Sequence, residues 1–304
     1  MALASSSHRY RGMVSLPDLF GRFRGRPEKP VYVAVEDLGE QLDAGRFLID
    51  GNPAVSRIDA SRLGVACRKG GGEVNNDFVL VHHGLKVGNV LHDLYGVFDG
   101  VTGYEIEGGG VGLHPMSHEV SSQAAEGIVR ILRSSRMRDA AGALAESLET
   151  ANKELCASPL YSGKGYTTAT VALLNPKNGS GVVGQSGDSR AFFAGKGGLD
   201  RLTIDQVSYT AAPDGVRMRH LKPMMGSPDM VYDIRELELS KGGLLLLTTD
   251  GVHNALEPAT MHQTIMNVKG NLSFAAHDLF YKAQNIARFS GGRVDDASAV
   301  VVRI

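Results

Sequence analysis

Two apolar runs in this chain end on an Asp-Gly pair, and a third begins just past two aspartates. Leu94-Tyr95-Gly96-Val97-Phe98 leads into Asp99-Gly100, and Leu244-Leu245-Leu246-Leu247-Thr248-Thr249 into Asp250-Gly251. Asp295-Asp296 shortly precede the β-branched run Ala299 to Ile304. Runs this short and this apolar read as buried strands. An aspartate at the tip of such a strand has a rigid base and a free head. The glycine after it lets backbone approach closely and leaves its carbonyl available as a ligand. A fourth acid lies between two strand-like runs, in Gly187-Asp188-Ser189-Arg190. One Asp-Gly alone reads as a hairpin turn. Several such carboxylates that converge make a hard oxygen site suited to Mg²⁺ or Mn²⁺.

The rest of the pattern narrows the fold. Phe78 to Val81 and Leu94 to Phe98 read as strands. Two helical stretches follow, one carrying Val120, Ala124, Ile128, Val129 and Leu132, the other Ala141, Leu144, Leu148, Ala151 and Leu155. Short strands return at Thr168 to Leu174, Gly181 to Gly184 and Arg190 to Ala194. Ser273 is the expected cap of a last helix bearing Ala276, Leu279, Phe280, Ala283 and Ala287. Helices clustered between runs of strands favour an α+β fold with antiparallel sheets over a doubly wound parallel one. No Gly-x-Gly-x-x-Gly or P-loop supports a nucleotide-binding reading.

Composition removes other classes. A formal net charge of −1 over 304 residues argues against a generic nucleic-acid binder. No apolar run nears the roughly 18–20 residues of a membrane span. The two cysteines, Cys67 and Cys156, make no disulfide framework or zinc spacing, which points to a reducing, intracellular compartment. The cytoplasm is the expected location, with the mitochondrion as the alternative. That alternative comes from the start of the chain, where Arg9, Arg11, Arg22, Arg24, Arg26 and Lys29 face only Asp18 and Glu28. Such a start suits a transit segment or a flexible partner-binding arm. We read 1–61 as a basic arm and lead-in, with a short strand at Val31 to Val35, and 62–304 as one domain.

The chain from Arg62 to Ile304 resembles the metal-dependent protein serine/threonine phosphatases, the PPM or type 2C family. The resemblance rests on six segments in the family's order. They are Leu94 to Gly100, Gly165-Tyr166-Thr167-Thr168-Ala169, Gly187 to Arg190, Leu202-Thr203-Ile204-Asp205, Leu247 to Val252, and Asp295-Asp296-Ala297-Ser298. It implies a sandwich of two antiparallel β-sheets flanked by α-helices, with a two-metal site at one end. In active members a metal-bridging water attacks the phosphorus of a phosphoserine or phosphothreonine. Asp99 matches the bridging aspartate and Gly100 its neighbouring carbonyl ligand. Asp250 and Asp295 match the other carboxylates of the first metal, and Asp188 an acid of a third, weaker one.

The departures are as informative. The family's Asp-Gly-His is Asp99-Gly100-Val101 here, and valine cannot replace the general-acid histidine. The phosphate-binding arginine falls on Gly72. The second metal's glutamate falls on Asn76, so Asn76 and Asp188 remain the candidates for a weaker metal position. Arg68 and Lys69 lie upstream as substitutes for the lost arginine. The later acidic position becomes Asn254, the usual final Asp-Asn is Asp295-Asp296, and the histidine after Asp205 is Gln206. Losing a general acid costs about 10²–10⁴ in rate, and losing one charge-stabilising donor about 10²–10³. The expectation is therefore a pseudophosphatase holding one Mg²⁺ or Mn²⁺ rather than two and binding a protein partner or phosphoprotein. The basic arm would serve assembly, nucleic acid would bind only through that arm, and no membrane is involved. The alternative is an active Mg/Mn-dependent phosphatase whose loop with Glu105, Glu107, His114 and His118 replaces the missing groups. Arg217, Arg219 and Lys222 read as a solvated basic face, Cys67 as a buried small residue, and His82 and His83 as surface or structural.

Overall fold

Alternation along the central strands explains the architecture. In Leu244–Thr248, Leu244 and Leu246 face one apolar layer, and Leu245 and Leu247 face another. Successive side chains of a strand point to opposite faces, so an unbroken apolar run is stable only where both faces are covered. The computed structural model describes residues 32–34, 47–50, 57–101, 103–105, 111–211, 217–268, 270–292 and 294–304. The basic arm and Glu107 lie outside the described residues.

Eleven strands build two sheets. In chain order they are β1 (Phe47–Asp50), β2 (Leu63–Arg68), β3 (Phe78–Val87), β4 (Val90–Phe98), β5 (Ala169–Leu174), β6 (Ser180–Ser186), β7 (Arg190–Gly195), β8 (Gly198–Arg201), β9 (Asp233–Glu238), β10 (Leu244–Thr248) and β11 (Ala297–Arg303). The six-stranded sheet runs β9-β6-β5-β4-β3-β1, and the five-stranded sheet β8-β7-β10-β11-β2. Helices α1 (Ser117–Ser134) and α2 (Ala140–Ala157) cover the first sheet. Helices α4 (Pro258–Met266) and α5 (Leu272–Phe289) cover the second, after the short α3 (Asp250–His253). The result is the α+β sandwich expected from the sequence, within a compact unit Val31–Ile304.

Three apolar layers hold it. Phe78, Leu80, Leu94 and Phe98 pack against Ile128, Leu132, Leu144 and Leu148 of α1 and α2. Val79, Val81, Tyr95 and Val97 meet Leu245, Leu247, Val300 and Val302 between the sheets. Leu244, Leu246, Ala299 and Val301 pack on Leu272, Leu279 and Phe280 of α5. No helix among the described residues is long and apolar enough to cross a membrane.

Several local expectations change. β1 pairs in parallel with β3, Phe47 opposite Val79, so the sheet is not wholly antiparallel. The connection between them passes through β2 in the other sheet, and that long crossover lets the chain re-enter in the same direction. The strand expected at Val31 to Val35 spans Tyr32–Ala34 and pairs with Arg57–Asp59. The last helix is capped by Asn271, whose Oδ1 accepts from the Phe274 amide at 3.1 Å, rather than by Ser273, which is buried. Asn two residues earlier satisfies the free amide, so Ser273 lies inside the first turn. Cys67 is fully buried, as expected. His82 is buried, with Nε2 2.9 Å from Arg133 Nη2. His83 Nδ1 lies 3.3 Å from Asp93.

Leu246 is fully buried between β10 and α5. Leu246→Ala is expected to cost about 2–5 kcal/mol in urea unfolding. Ile204→Ala, at a residue 78% exposed, should stay within about 0.5 kcal/mol.

Candidate metal centre

The register gathers the acids at one end of the sandwich. Phe78 pairs with Phe98, so Asp77, just before β3, and Asp99, just after β4, leave the sheet side by side. Thr248 pairs with Ala299, and Arg190 with Thr248. Asp250 after β10, Asp295 and Asp296 before β11, and Asp188 before β7 therefore leave the second sheet at the same end. Antiparallel pairing turns aspartates scattered through the sequence into neighbours.

The backbone of Asp99 is fixed by the start of β5. Its amide donates to Thr168 Oγ1 at 3.0 Å, and its carbonyl accepts from the Thr168 amide at 2.8 Å and Thr167 Oγ1 at 3.1 Å. Thr168 Oγ1 lies 2.7 Å from Ser189 Oγ, beside Asp188. Gly100 and Val101 pair with Thr167 and Tyr166. A Cβ at Gly100 would lie 2.7 Å from Ser117 O and 2.8 Å from Asn76 O, so only glycine fits between them. At Gly251 a Cβ would lie 1.9 Å from Asp296 O, again excluding a side chain.

Asp77 belongs to this cluster and was not singled out from sequence. It is fully buried, and its Oδ2 accepts from Thr249 Oγ1 at 2.7 Å. Thr249 Oγ1 also accepts from the Ser298 amide at 2.9 Å, which ties Asp77 to both Asp250 and the last strand. The signal available was its place directly before the apolar run Phe78 to Val81, the mirror image of Asp99 directly after one. Asp250 Oδ2 accepts from Asn254 Nδ2 at 3.2 Å, and Asp295 Oδ1 from the Asp296 amide at 3.0 Å. Asn76 Nδ2 donates to Asp296 Oδ2 at 3.2 Å.

Charge explains the electrostatics. Burial pushes the Asp99 carboxyl well above the usual carboxylate range, and Asp250, Asp77, Asp188 and Asp295 push it further. Burial also raises Asp77, with Asp296 adding to it and the hydroxyls of Thr249 and Ser298 opposing it. The donor chemistry suits a hard divalent cation: carboxylate oxygens, the tightly held Gly100 carbonyl, and a surplus of like charge that a cation would offset. Even so, no three His, Cys, Asp or Glu side chains among the described residues stand close enough together to hold an ion as a preformed group. The structure brings Asp99, Asp250, Asp295 and Asp188 into one field without drawing them to one point. A cleft of about 280 Å³ opens beside Asp250 and Asp295 and runs past Asn254 to Ile286 and Ala287 of α5.

The remaining candidates fall as follows. Arg68 lies over the Phe280 ring at 5.4 Å, and Lys69 Nζ donates to Glu73 O at 3.3 Å. His114 packs edge-on against Tyr166 at 4.6 Å, and burial lowers its proton affinity. His118 Nε2 lies 2.8 Å from Glu119. Glu105 is in a short strand pair, Gly103–Glu105 with Val111–Leu113. Arg217 and Arg219 lie on a hairpin strand, Arg217–Leu221, paired with Val207–Ala211. Asp205 is clamped between Arg190, at 2.7 Å, and Arg201, and these cations hold it below the usual range against its partial burial. Gln206 Oε1 accepts from the Gly187 amide at 3.0 Å and so supports the Asp188 turn.

Solved structures of the same shape include a Streptococcus agalactiae serine/threonine phosphatase (TM-score 0.62, 18% identity, 80% of this chain and 98% of that one). The Mycobacterium tuberculosis serine/threonine phosphatase PstP/Ppp matches at TM-score 0.57 and 19% identity, over 80% and 98% of the two chains. The catalytic domain of PstP in complex with two manganese ions matches at TM-score 0.55 and 20% identity, over 80% and 97%. This is the fold of the PPM serine/threonine phosphatases. No protein-family model matches the sequence, and no curated protein matches it. The PPM likeness is therefore one of architecture.

The raised Asp99 carboxyl gives a pH prediction. Between the usual carboxylate range, near pH 4, and its raised value, the folded chain binds a proton that the unfolded chain has released. Stability from this group is therefore lost as pH rises through that window. Asp99→Asn should raise the melting temperature of the metal-free protein at pH 8, and the gain should shrink as pH falls toward 4. Added Mn²⁺ should raise the melting temperature of the wild type and affect the variant much less.

Proposed function

We propose that this chain is a PPM-fold pseudophosphatase, a cation-binding, partner-binding protein with little hydrolytic capacity. The observation that carries the reading is Val101. It follows Asp99-Gly100 in a strand pair with Tyr166, and its carbonyl accepts from Ser117 Oγ at 2.5 Å. An apolar side chain therefore occupies the place where the resemblance puts the proton donor. Gly72 supplies no side chain at the phosphate-binding position, and Arg68 and Lys69 already contact Phe280 and Glu73.

Asp99, Asp250 and Asp295, with the Gly100 carbonyl, would hold a Mg²⁺ or Mn²⁺ ion, and Asp188 would serve a weaker position. When bound, the cation would supply charge that attracts a phosphoryl group and polarises water. The chain's own groups hold this acid end rigid and exclude water from Asp77. Ile286 lines the cleft and is exposed, and Phe289, further along α5, is 90% exposed. Apolar side chains next to acids suit a protein or phosphoprotein partner, and the basic arm would add contacts in an assembly. The active alternative rests on His114, whose ring reaches Tyr166 opposite Val101. A histidine with lowered proton affinity is a poorer acid reservoir at neutral pH.

Hydrolysis of a phosphopeptide and of an aryl phosphate in excess Mn²⁺ tests the reading. Turnover should lie at least about 10²-fold below that of a PPM enzyme assayed alongside, and His114→Ala should leave it unchanged. Ordinary turnover that Asp250→Asn abolishes would overturn the proposal.

A further inference from the structure

The end of the sandwich away from the acids carries an open surface lined by cations. Strand β4 begins there, and its residues 91, 93 and 95 share the face turned toward the second sheet. Tyr95 is buried among the residues between the sheets. Asp93 stands at the mouth of that space, and Leu91, further out, is 54% exposed. Lys86 of β3 pairs opposite Leu91 and is exposed as well. On its other face the same hairpin is covered, because Leu85 and Val87 pack with α1 and α2. Gly88, in its turn, touches Arg138: a Cβ there would lie 2.7 Å from Arg138 O.

Two more cations reach the mouth from the second sheet. Arg62 stands just before β2 and Arg303 ends β11, and both line a cleft with Asp93 and Tyr95. Arg303 Nε donates to Ser61 O at 2.8 Å, and neither guanidinium pairs with an acid among the described residues. The nearby acids are already engaged. Asp93 Oδ1 accepts from the Gly84 amide at 3.0 Å, and its Oδ2 lies 3.3 Å from both Tyr95 Oη and His83 Nδ1. Asp59 Oδ1 accepts from the Ser61 amide and hydroxyl. Asp139, next to Arg138, caps α2 at the Gly142 amide. These contacts leave Arg62, Lys86, Arg138 and Arg303 to an anion from outside. The cleft holds about 20 Å³, room for about one water, so an incoming carboxylate lies across its mouth and not inside it. That suits a macromolecular surface rather than a small-molecule pocket.

We propose that this end of the sandwich docks an acidic segment of a partner protein, whose carboxylates meet Arg62, Arg303 and Lys86 and whose apolar side chain lies on Leu91. An extended segment can space its acids to clear Asp93 and Asp59, which a continuous anionic lipid surface cannot do. Of the proposed function, this docking rests only on partner binding. It needs neither a bound cation nor a loss of hydrolysis.

Fluorescence anisotropy on the full chain tests this with a labelled Glu-rich peptide carrying one Leu, and with the same peptide bearing Gln for Glu. The wild type should bind the acidic peptide at low salt and the Gln peptide far more weakly, and rising NaCl should loosen the complex. Arg62→Glu with Lys86→Glu should weaken binding about tenfold or more, and Leu91→Asp should weaken it as well. Lys153→Glu, at an exposed cation elsewhere on α2, should leave it unchanged. All four residues are exposed, so the variants should keep the fold, which circular dichroism checks. A wild type that binds neither peptide, or both equally, overturns the proposal, and that result stands whatever the variants do. Unchanged affinity in the folded paired reversal, or an equal loss in Lys153→Glu, also overturns it. So do vesicles of phosphatidylcholine and phosphatidylserine that hold the wild type more tightly than the peptide does and release the paired reversal, since the occupant is then a membrane. Phosphopeptide turnover on the same samples separates the two claims. Ordinary turnover with intact peptide binding defeats the pseudophosphatase reading and leaves the docking surface standing. Absent peptide binding without turnover does the reverse.

Discussion

Asp99 sits in the field of four other aspartates, and the rest of this end of the molecule makes that crowding tolerable. Like charges in a partly buried space repel, and each ionisation there is opposed by its neighbours. Hydroxyls and amides of the chain hold several of these acids in place. Thr249 donates to Asp77, Thr167 and Thr168 hold the Asp99 backbone, and the Gly70 and Asn76 amides hold Asp296. Such contacts fix position without neutralising charge. The acid end is left rigid and crowded with carboxyl groups, a repulsion that a cation from solution would offset.

Much of the fold was legible because burial on both faces leaves an unmistakable mark. Leu244 to Thr248 reads as the strand it is, and both long helices that cover the first sheet show their spacing. Asp99, Asp250 and Asp295 could be placed at strand ends from local sequence alone. Edge strands were harder. Asp233–Glu238 pairs along one side only and carries Asp233, Arg235, Glu236 and Glu238, so it lacks the apolar run that marks a central strand. Asp77 stands directly before an apolar run, a local mark of a strand start, but its neighbourhood with Asp99 comes from the pairing of Phe78 with Phe98 across the sheet. The clasp between Asn76 and Asp296 joins residues far apart in the chain, and only the folded arrangement brings an amide from one segment to an acid from the other.

Architecture and chemistry place different demands on a sequence. At 18–20% identity to the solved phosphatases named above, the sandwich persists because it asks only for apolar volume at alternating positions. The site asks for particular groups at particular atoms, and one valine or one amide changes what it can do. Strand order and the glycines that admit close backbone approach therefore carry the fold without deciding the chemistry of the site.

The short parallel strand β1 has a meaning beyond completing the sheet. A strand with an open side offers unpaired amides and carbonyls to any other extended chain. Phe47–Asp50 covers that side of β3, whose Phe78 to Val81 is among the most apolar stretches of the molecule. At the far side of the same sheet, charged β9 discourages such pairing by itself. Phe47–Asp50 thus acts as a selvedge on the sheet, and trimming the chain to its motif-bearing part would leave β3 as an adhesive border. Recombinant pieces that begin there would be prone to self-association for a reason unrelated to the acids at the other end.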